Sequence, residues 1–336
     1  MREFLAKKGV TLSPKVYFVT ALSYMALGLF SSLIIGLIIK TIGEQVPQLG
    51  FLVEIGTLAM GLMGAAIGGA IAYGLQAPPL VIFAAIITGS AGGQLGGPAG
   101  SYAAALISAE IGKLVSKETR LDIIVTPLVT LLTGYAVAAL VGPYIQGFTE
   151  WFGEVIMWST DQRPFIMGIL VAVLMGWALT APISSLAIAL MLDLHGLAAG
   201  AATIGCAAQM IGFATSSYRE NGIGGWLAQG IGTSMLQVAN IVKNPYILIP
   251  PTVAGAVLAP FATVWLELIN NAAGAGMGTS GLVGQIMTFS VMGFSWDIFL
   301  AVILLHFVGP AVISLILSEW MRKKGWIKFG DMKIDY

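Results

Sequence analysis

The chain has 336 residues, 57% of them hydrophobic and 10% charged, with a formal net charge of zero. Ordinary soluble domains carry about 25% charged residues, and sixteen basic plus sixteen acidic side chains cannot surface 35.1 kDa of protein in water. Mean hydropathy is +0.90, and Lys and Arg are absent from 41 to 112, 164 to 218 and 244 to 321. A soluble enzyme is excluded; an all-α polytopic membrane protein remains, because long apolar runs satisfy their backbone in lipid as helices.

Arg2, Lys7, Lys8 and Lys15 precede the first apolar run, Val16 to Ile39, which is too long for the core of a signal peptide and has no small-residue cleavage site after it. Arg322, Lys323, Lys324 and Lys328 follow the last run. Both flanks therefore predict cytoplasmic termini, 1–15 and a basic tail 319–336, and an even number of crossings. Full-length spans read as 16–39, 51–75, 121–142, 164–181, 246–268 and 297–318. Between them lie apolar stretches too short or too glycine-rich to cross alone. From Pro79 the chain reaches Gly89-Ser90-Ala91-Gly92-Gly93-Gln94-Leu95-Gly96-Gly97-Pro98 after about ten residues and then reads as helix again to 116. That pattern predicts a re-entrant hairpin over 79–116, tolerable at membrane depth only where protein or a water-filled cavity satisfies the open backbone. A second hairpin is expected over 183–214, its tip at Asp193-Leu194-His195-Gly196. The total is roughly eight to ten membrane-embedded segments.

The two hairpins follow matching breaks. Tyr73-Gly74-Leu75-Gln76-Ala77-Pro78 corresponds to Trp177-Ala178-Leu179-Thr180-Ala181-Pro182, and Ile124-Val125-Thr126-Pro127 to Leu248-Ile249-Pro250, with Ser216 to Gly225 as the expected insertion in the second copy. The chain thus reads as two membrane repeats, 16–160 and 161–318, whose broken helices would meet at a binding site, as in transporters. Glu150 to Asp161, with Trp151 and Trp158, reads as an external interfacial segment. The repeats are then parallel; if that segment crosses, they are inverted.

No catalytic or metal-binding signature is present, and no cofactor is expected. Gly276-Met277-Gly278-Thr279-Ser280-Gly281 fits a dinucleotide-type spacing but lacks the βαβ unit that would give it meaning. Cys206, the single cysteine, lies among small apolar residues and reads as helix packing. Ionisable residues inside apolar segments are functional hypotheses by default. Asp193 and His195 stand two apart at the second tip, where Asp193 either serves a site or caps the following helix. Glu110 either pairs locally with Lys113 or lines a site, and His306 reads as a packing histidine near Pro310. Glu54 and Glu267 sit near span ends and read as interfacial. Gln76 and Thr180 occupy matched repeat positions, with Gln94, Ser184 and Gln209 further on. Together Gln76, Gln94, Thr180, Ser184, Asp193, His195 and Gln209 form the expected substrate-binding set, mostly neutral donors and acceptors suited to a small polyhydroxylated or zwitterionic solute. Tyr73 and Trp177, just before the breaks, could stack on a sugar face or simply sit at a lipid interface.

The segments Leu12-Ser13-Pro14, Ala21-Leu22-Ser23-Tyr24-Met25-Ala26-Leu27-Gly28-Leu29-Phe30, Leu179-Thr180-Ala181-Pro182-Ile183-Ser184-Ser185 and Asn244-Pro245-Tyr246 carry a whole-chain resemblance. The sequence resembles the membrane C-component of enzyme II of the bacterial sugar phosphotransferase system, in the stand-alone branch that includes perfringolysin O regulator-like proteins. The resemblance implies a homodimer that moves a sugar by elevator-type displacement of a hairpin-bearing domain. In that family B-components phosphorylate the bound sugar; with no A or B domain fused here and Cys206 in an apolar segment, phosphorylation needs separate A and B components or does not take place. The expected function is a permease for a small polar solute, with the lipid bilayer its surroundings and nucleic acid no partner. A transporter-like membrane sensor and a proton-coupled carrier are the alternatives.

Overall fold

The computed structural model describes residues 2–334. Apart from one isolated bridge between Gly196 and Asn270, the described residues form helices and their connections. In chain order the helices are α1 Arg2–Lys7, α2 Val16–Gln45, α3 Phe51–Gly61, α4 Met63–Gly74, α5 Pro79–Val115, α6 Asp122–Thr160, α7 Pro164–Thr180, α8 Ser185–Met191, α9 Gly196–Ser216, α10 Tyr218–Leu227, α11 Val238–Lys243, α12 Pro245–Trp265, α13 Ala272–Ala275, α14 Val283–Met292 and α15 Trp296–Lys323. Six helices among the described residues are long and apolar enough to cross a membrane: α2, α5, α6, α9, α12 and α15. The pair α3 and α4, bent by 52°, qualifies as a broken seventh, and α7 is a shorter apolar helix. The fold is an all-α polytopic membrane protein.

Two compact units divide the chain, Met1–Phe148 and Thr149–Tyr336. The boundary lies inside α6, which runs on through Pro143 for 39 residues, where the sequence suggests a span ending at 142 and a separate interfacial segment. Continuing the helix keeps the backbone satisfied in lipid, where breaking it would expose polar groups. At about 58 Å it is longer than the hydrocarbon core of about 30 Å.

In the first unit, glycines set the helix approaches, as expected where packing rather than hydrophobicity drives association in lipid. Gly28 lies on the Ala66 and Ile67 backbone, Gly36 on Gly56, and Gly64 and Gly68 on the α5 backbone at Gly89 and Ala85. Helix α5 breaks at Gly96 (φ −156°, ψ 21°) and Gly97 (φ 59°, ψ −151°). The second of these conformations is open only to glycine. The two arms fold onto each other. Gly92 faces Gly100 so closely that a Cβ on either would overlap the other's carbonyl oxygen, and the Thr88 and Ser108 hydroxyls hydrogen-bond at 2.9 Å across twenty positions. On a straight helix they would stand about 30 Å apart. Ion pairing of Lys8 with Glu118 ties the N-terminal segment to the end of this hairpin.

In the second unit α9 is the central helix, almost wholly buried against α7, α12 and α15. Ala172 meets Gly205, Met175 meets Cys206, and Gly176 meets Gln209, so α7 and α9 run in the same direction. Gly255 against Gly205 and Pro251 against Gly212 make α12 antiparallel to both. Parallel α7 and α9 require the chain from 181 to 195 to travel back along them. It does so through the seven-residue α8 and turns at Asp193 (φ 48°) and Gly196 (φ 64°). The 183–214 stretch thus differs from the 79–116 one. Its second arm is a span-length helix, and α13 packs against both α8 and α9. Both units nevertheless share a plan: a helix, an Ala-Pro break, a returning segment, a turn, and a helix parallel to the first.

The segment after α15 does not trail away as a tail. Ile327, Met332 and Ile334 are buried, and residues 324–334 fold back as a strap on the second unit.

Candidate functional site

Thr180 ends α7, and its position level with Gln209 of α9 follows from the parallel packing just described. Its hydroxyl donates to the Gly176 carbonyl (3.1 Å), lies 2.8 Å from the Ser234 hydroxyl and 3.4 Å from Gln209 Oε1. The amide of Gln209 donates to Thr252 Oγ1 at 2.9 Å, and the indole of Trp177 donates to the same oxygen at 2.9 Å. Ser234 belongs to a short 3-10 turn that begins beside Thr233, whose side chain caps it. Thr252 lies on α12 directly after the Pro250-Pro251 pair, where its opening 3-10 turn gives way to α-helix. Five neutral side chains from four segments form one continuous relay. Ser234, Thr180 and Gln209 are buried, Thr252 is half-buried, and Trp177, 42% exposed, forms its open end. The groups of this relay open to a solute are the Trp177 ring and the Thr252 hydroxyl, both uncharged.

Among the residues expected from the sequence, Thr180 and Gln209 meet here. Ser184 does not: its hydroxyl accepts from the Ala187 amide at 3.1 Å as the N-cap of α8. Asp193 and His195 are exposed, the imidazole Nδ1 2.7 Å from the Asp193 backbone oxygen. They lie at the other end of α9, fourteen residues from Gln209, about 21 Å along the axis. His195, not Asp193, occupies the N-cap of α9, and its side chain makes no capping bond. Gln76 and Gln94 belong to the first unit, and both are exposed. Gln76 sits in a left-handed turn (φ 55°) closed by its amide on the Tyr73 carbonyl. Its match with Thr180 holds in sequence but not in environment. In the first unit the buried ammonium of Lys113 donates to the Leu75 carbonyl at 3.0 Å and to Glu110 at 3.1 Å.

The other singled-out residues have local roles. Cys206 lies 3.4 and 3.5 Å from the Met175 and Ala275 carbonyls, fully buried. His306 Nδ1 meets the Gln285 amide at 2.8 Å, a side-chain partner rather than a freed carbonyl. The 276–281 glycines form a tight break pressed on α9, where a Cβ on Gly278 would approach Ala207 N to 2.6 Å. Thr279 donates to the Gly230 carbonyl there at 2.5 Å. Ser234 and Thr252 were missed by sequence reading. The polar Gln229-to-Gln237 run within an apolar half was the available signal for Ser234.

The family model described as Phosphotransferase system, EIIC matches residues 19–334. The chain belongs to the EIIC family. No curated protein and no solved structure matches it significantly. Membership and the apolar helices together make this EIIC chain a multi-pass membrane component of the phosphotransferase system, of the sugar-permease class.

Proposed function

We propose that this EIIC chain carries a neutral polyhydroxylated solute, a sugar or a sugar-derived compound, and that the solute is met at the Trp177–Thr252 end of the relay. The relay itself carries this reading: buried Gln209, Thr180 and Ser234 fix the donors and acceptors of Thr252 and Trp177 from behind. An indole beside a hydroxyl offers a sugar one apolar face to stack on and one polar edge to bond. Access alternates by elevator-type displacement of one hairpin-bearing unit. What supports this is that each unit has its own close-packed interior, while α6 passes from one to the other. Family membership supports separate A and B components as the source of phosphoryl groups and a homodimer as the working state. The basic flanks support cytoplasmic termini.

A solute panel screened by thermal shift on the purified full chain identifies the ligand, because a ligand that binds only the folded state raises its melting temperature. Thr252→Val, nearly isosteric, and Trp177→Ala then weaken binding by about tenfold or more, roughly 1.4 kcal/mol each, measured on variants that remain folded and monodisperse in detergent. Unchanged binding in both variants, with loss in Asp193→Asn and His195→Ala, would instead place the site at the opposite end of α9.

A further inference from the structure

The strap is held by its backbone. Asn221 donates to the Met332 carbonyl and accepts from the Ile334 amide, both at 2.9 Å. Gln237 donates to the same Met332 carbonyl (2.9 Å), Asn240 to the Lys333 carbonyl (2.8 Å) and Asn244 to the Trp326 carbonyl (2.9 Å). Four carboxamides thus fix a segment that has no secondary structure of its own, while its side chains at Lys328, Phe329 and Lys333 point to the exposed surface.

Aromatic rings gather beside it. Trp320 packs edge-on to Trp326 with centroids 5.3 Å apart, and Tyr246 stacks on Trp326 at 5.8 Å. All three are about half exposed, and Phe329 is 77% exposed. The cluster stands where two spans end on the same side, α12 beginning at Pro245 and α15 finishing at Lys323. Aromatic side chains at span ends belong to the headgroup layer of a bilayer.

The lysines here make no ion pairs among the described residues. Lys323, Lys324, Lys328 and Lys333 are exposed, and no carboxylate among the described residues lies within ion-pair distance of them. Of the described acidic groups nearby, Glu220 pairs with Arg322 and accepts from the Gly330 amide, and Glu319 pairs with Arg219 and Arg322, while Asp331 accepts from Asn244 and the Lys328 amide within the strap.

We propose that the strap and the end of α15 form a binding surface for anionic phospholipid head groups, the four lysines meeting the phosphodiesters and the aromatic cluster seating at the acyl boundary. Basic side chains beside a span attract anionic lipid strongly when they lie within a Debye length of the surface. A protein partner fits less well. The strap carbonyls it would need for backbone pairing are already bonded to carboxamides, and the exposed rings lie at span ends, where lipid covers them. The proposal does not rest on the transport reading.

The test uses the detergent-solubilised full chain titrated with phosphatidylglycerol, with phosphatidylcholine and inorganic phosphate as parallel arms, read as thermal stabilisation. Phosphatidylglycerol raises the melting temperature saturably, and phosphatidylcholine and phosphate do not. Replacing all four lysines with Gln weakens the apparent affinity for phosphatidylglycerol by about tenfold or more. Lys328→Gln with Lys333→Gln, both outside α15, weakens it to an intermediate degree and keeps the test alive if the quadruple variant does not fold. Equal stabilisation of wild type and variants overturns the proposal, as does equal stabilisation by phosphatidylcholine. Stabilisation by phosphate alone assigns the lysines to a free anion instead of lipid and also overturns it.

Discussion

Gly205 lies where α9 crosses α7, and a Cβ there would overlap the Ala172 carbonyl oxygen. Alanine has the higher helix propensity by about 1 kcal/mol, so any loss on Gly205→Ala measures the crossing and not the helix. Overpacking of this kind costs about 1–3 kcal/mol or more, and backbone against backbone leaves no flexible side chain to yield. Gly224, in α10, has nothing within 4 Å of its Cβ position. Thermal unfolding of Gly205→Ala is expected well below wild type, and that of Gly224→Ala at or near it. Equal midpoints would mean that the α7–α9 approach is looser than described. At this scale the sequence was only partly readable. Its glycines announce close packing, but which glycine meets which carbonyl depends on helix direction. Thr180 and Gln209 could be singled out as polar residues in apolar segments. Their meeting with Ser234 and Thr252 could not, because four separate segments must fold before the hydroxyls converge. Asp193 and His195 stand out in sequence as ionisable residues, and the fold places them on an exposed turn at the other end of α9.

Among the elements, α5 is the sharpest case of a helix that length alone would misassign. Its 37 residues suffice for a span, yet Gly96 and Gly97 turn it back. A Thr88→Cys/Ser108→Cys pair, in a Cys206→Ser background, tests this directly. The native hydroxyls are 2.9 Å apart, so mild oxidation should close a disulfide within one chain, read as loss of two free thiols and of 2 Da by mass spectrometry (two hydrogens, a bond between cysteines whose Cα atoms must lie within about 7 Å). Persistently free thiols would mean a straight helix. This hairpin was legible because glycine and proline punctuate it. The second return was less so: the Ala-Pro break and the Asp193–Gly196 turn were readable, but the parallel course of α7 and α9 was not. Neither was the strap, whose basic composition resembles a solvated tail until the carboxamides at 221, 237, 240 and 244 are seen to grip its backbone.

For the whole molecule, composition alone decided the class, because 10% charge leaves no soluble alternative, and membership of the EIIC family assigns it to the phosphotransferase system. The central claim is that this chain itself moves a neutral sugar-like solute through a site of uncharged groups. Uptake of the labelled solute found in the thermal-shift panel, by purified chain in proteoliposomes with and without an imposed proton gradient, tests it most directly. The account predicts equilibrating uptake that is independent of the gradient and reduced about tenfold or more by Trp177→Ala, in line with lost binding of roughly 1.4 kcal/mol. Binding without any uptake would make the chain a sensor, and uptake that requires the gradient and survives Trp177→Ala would contradict the account outright.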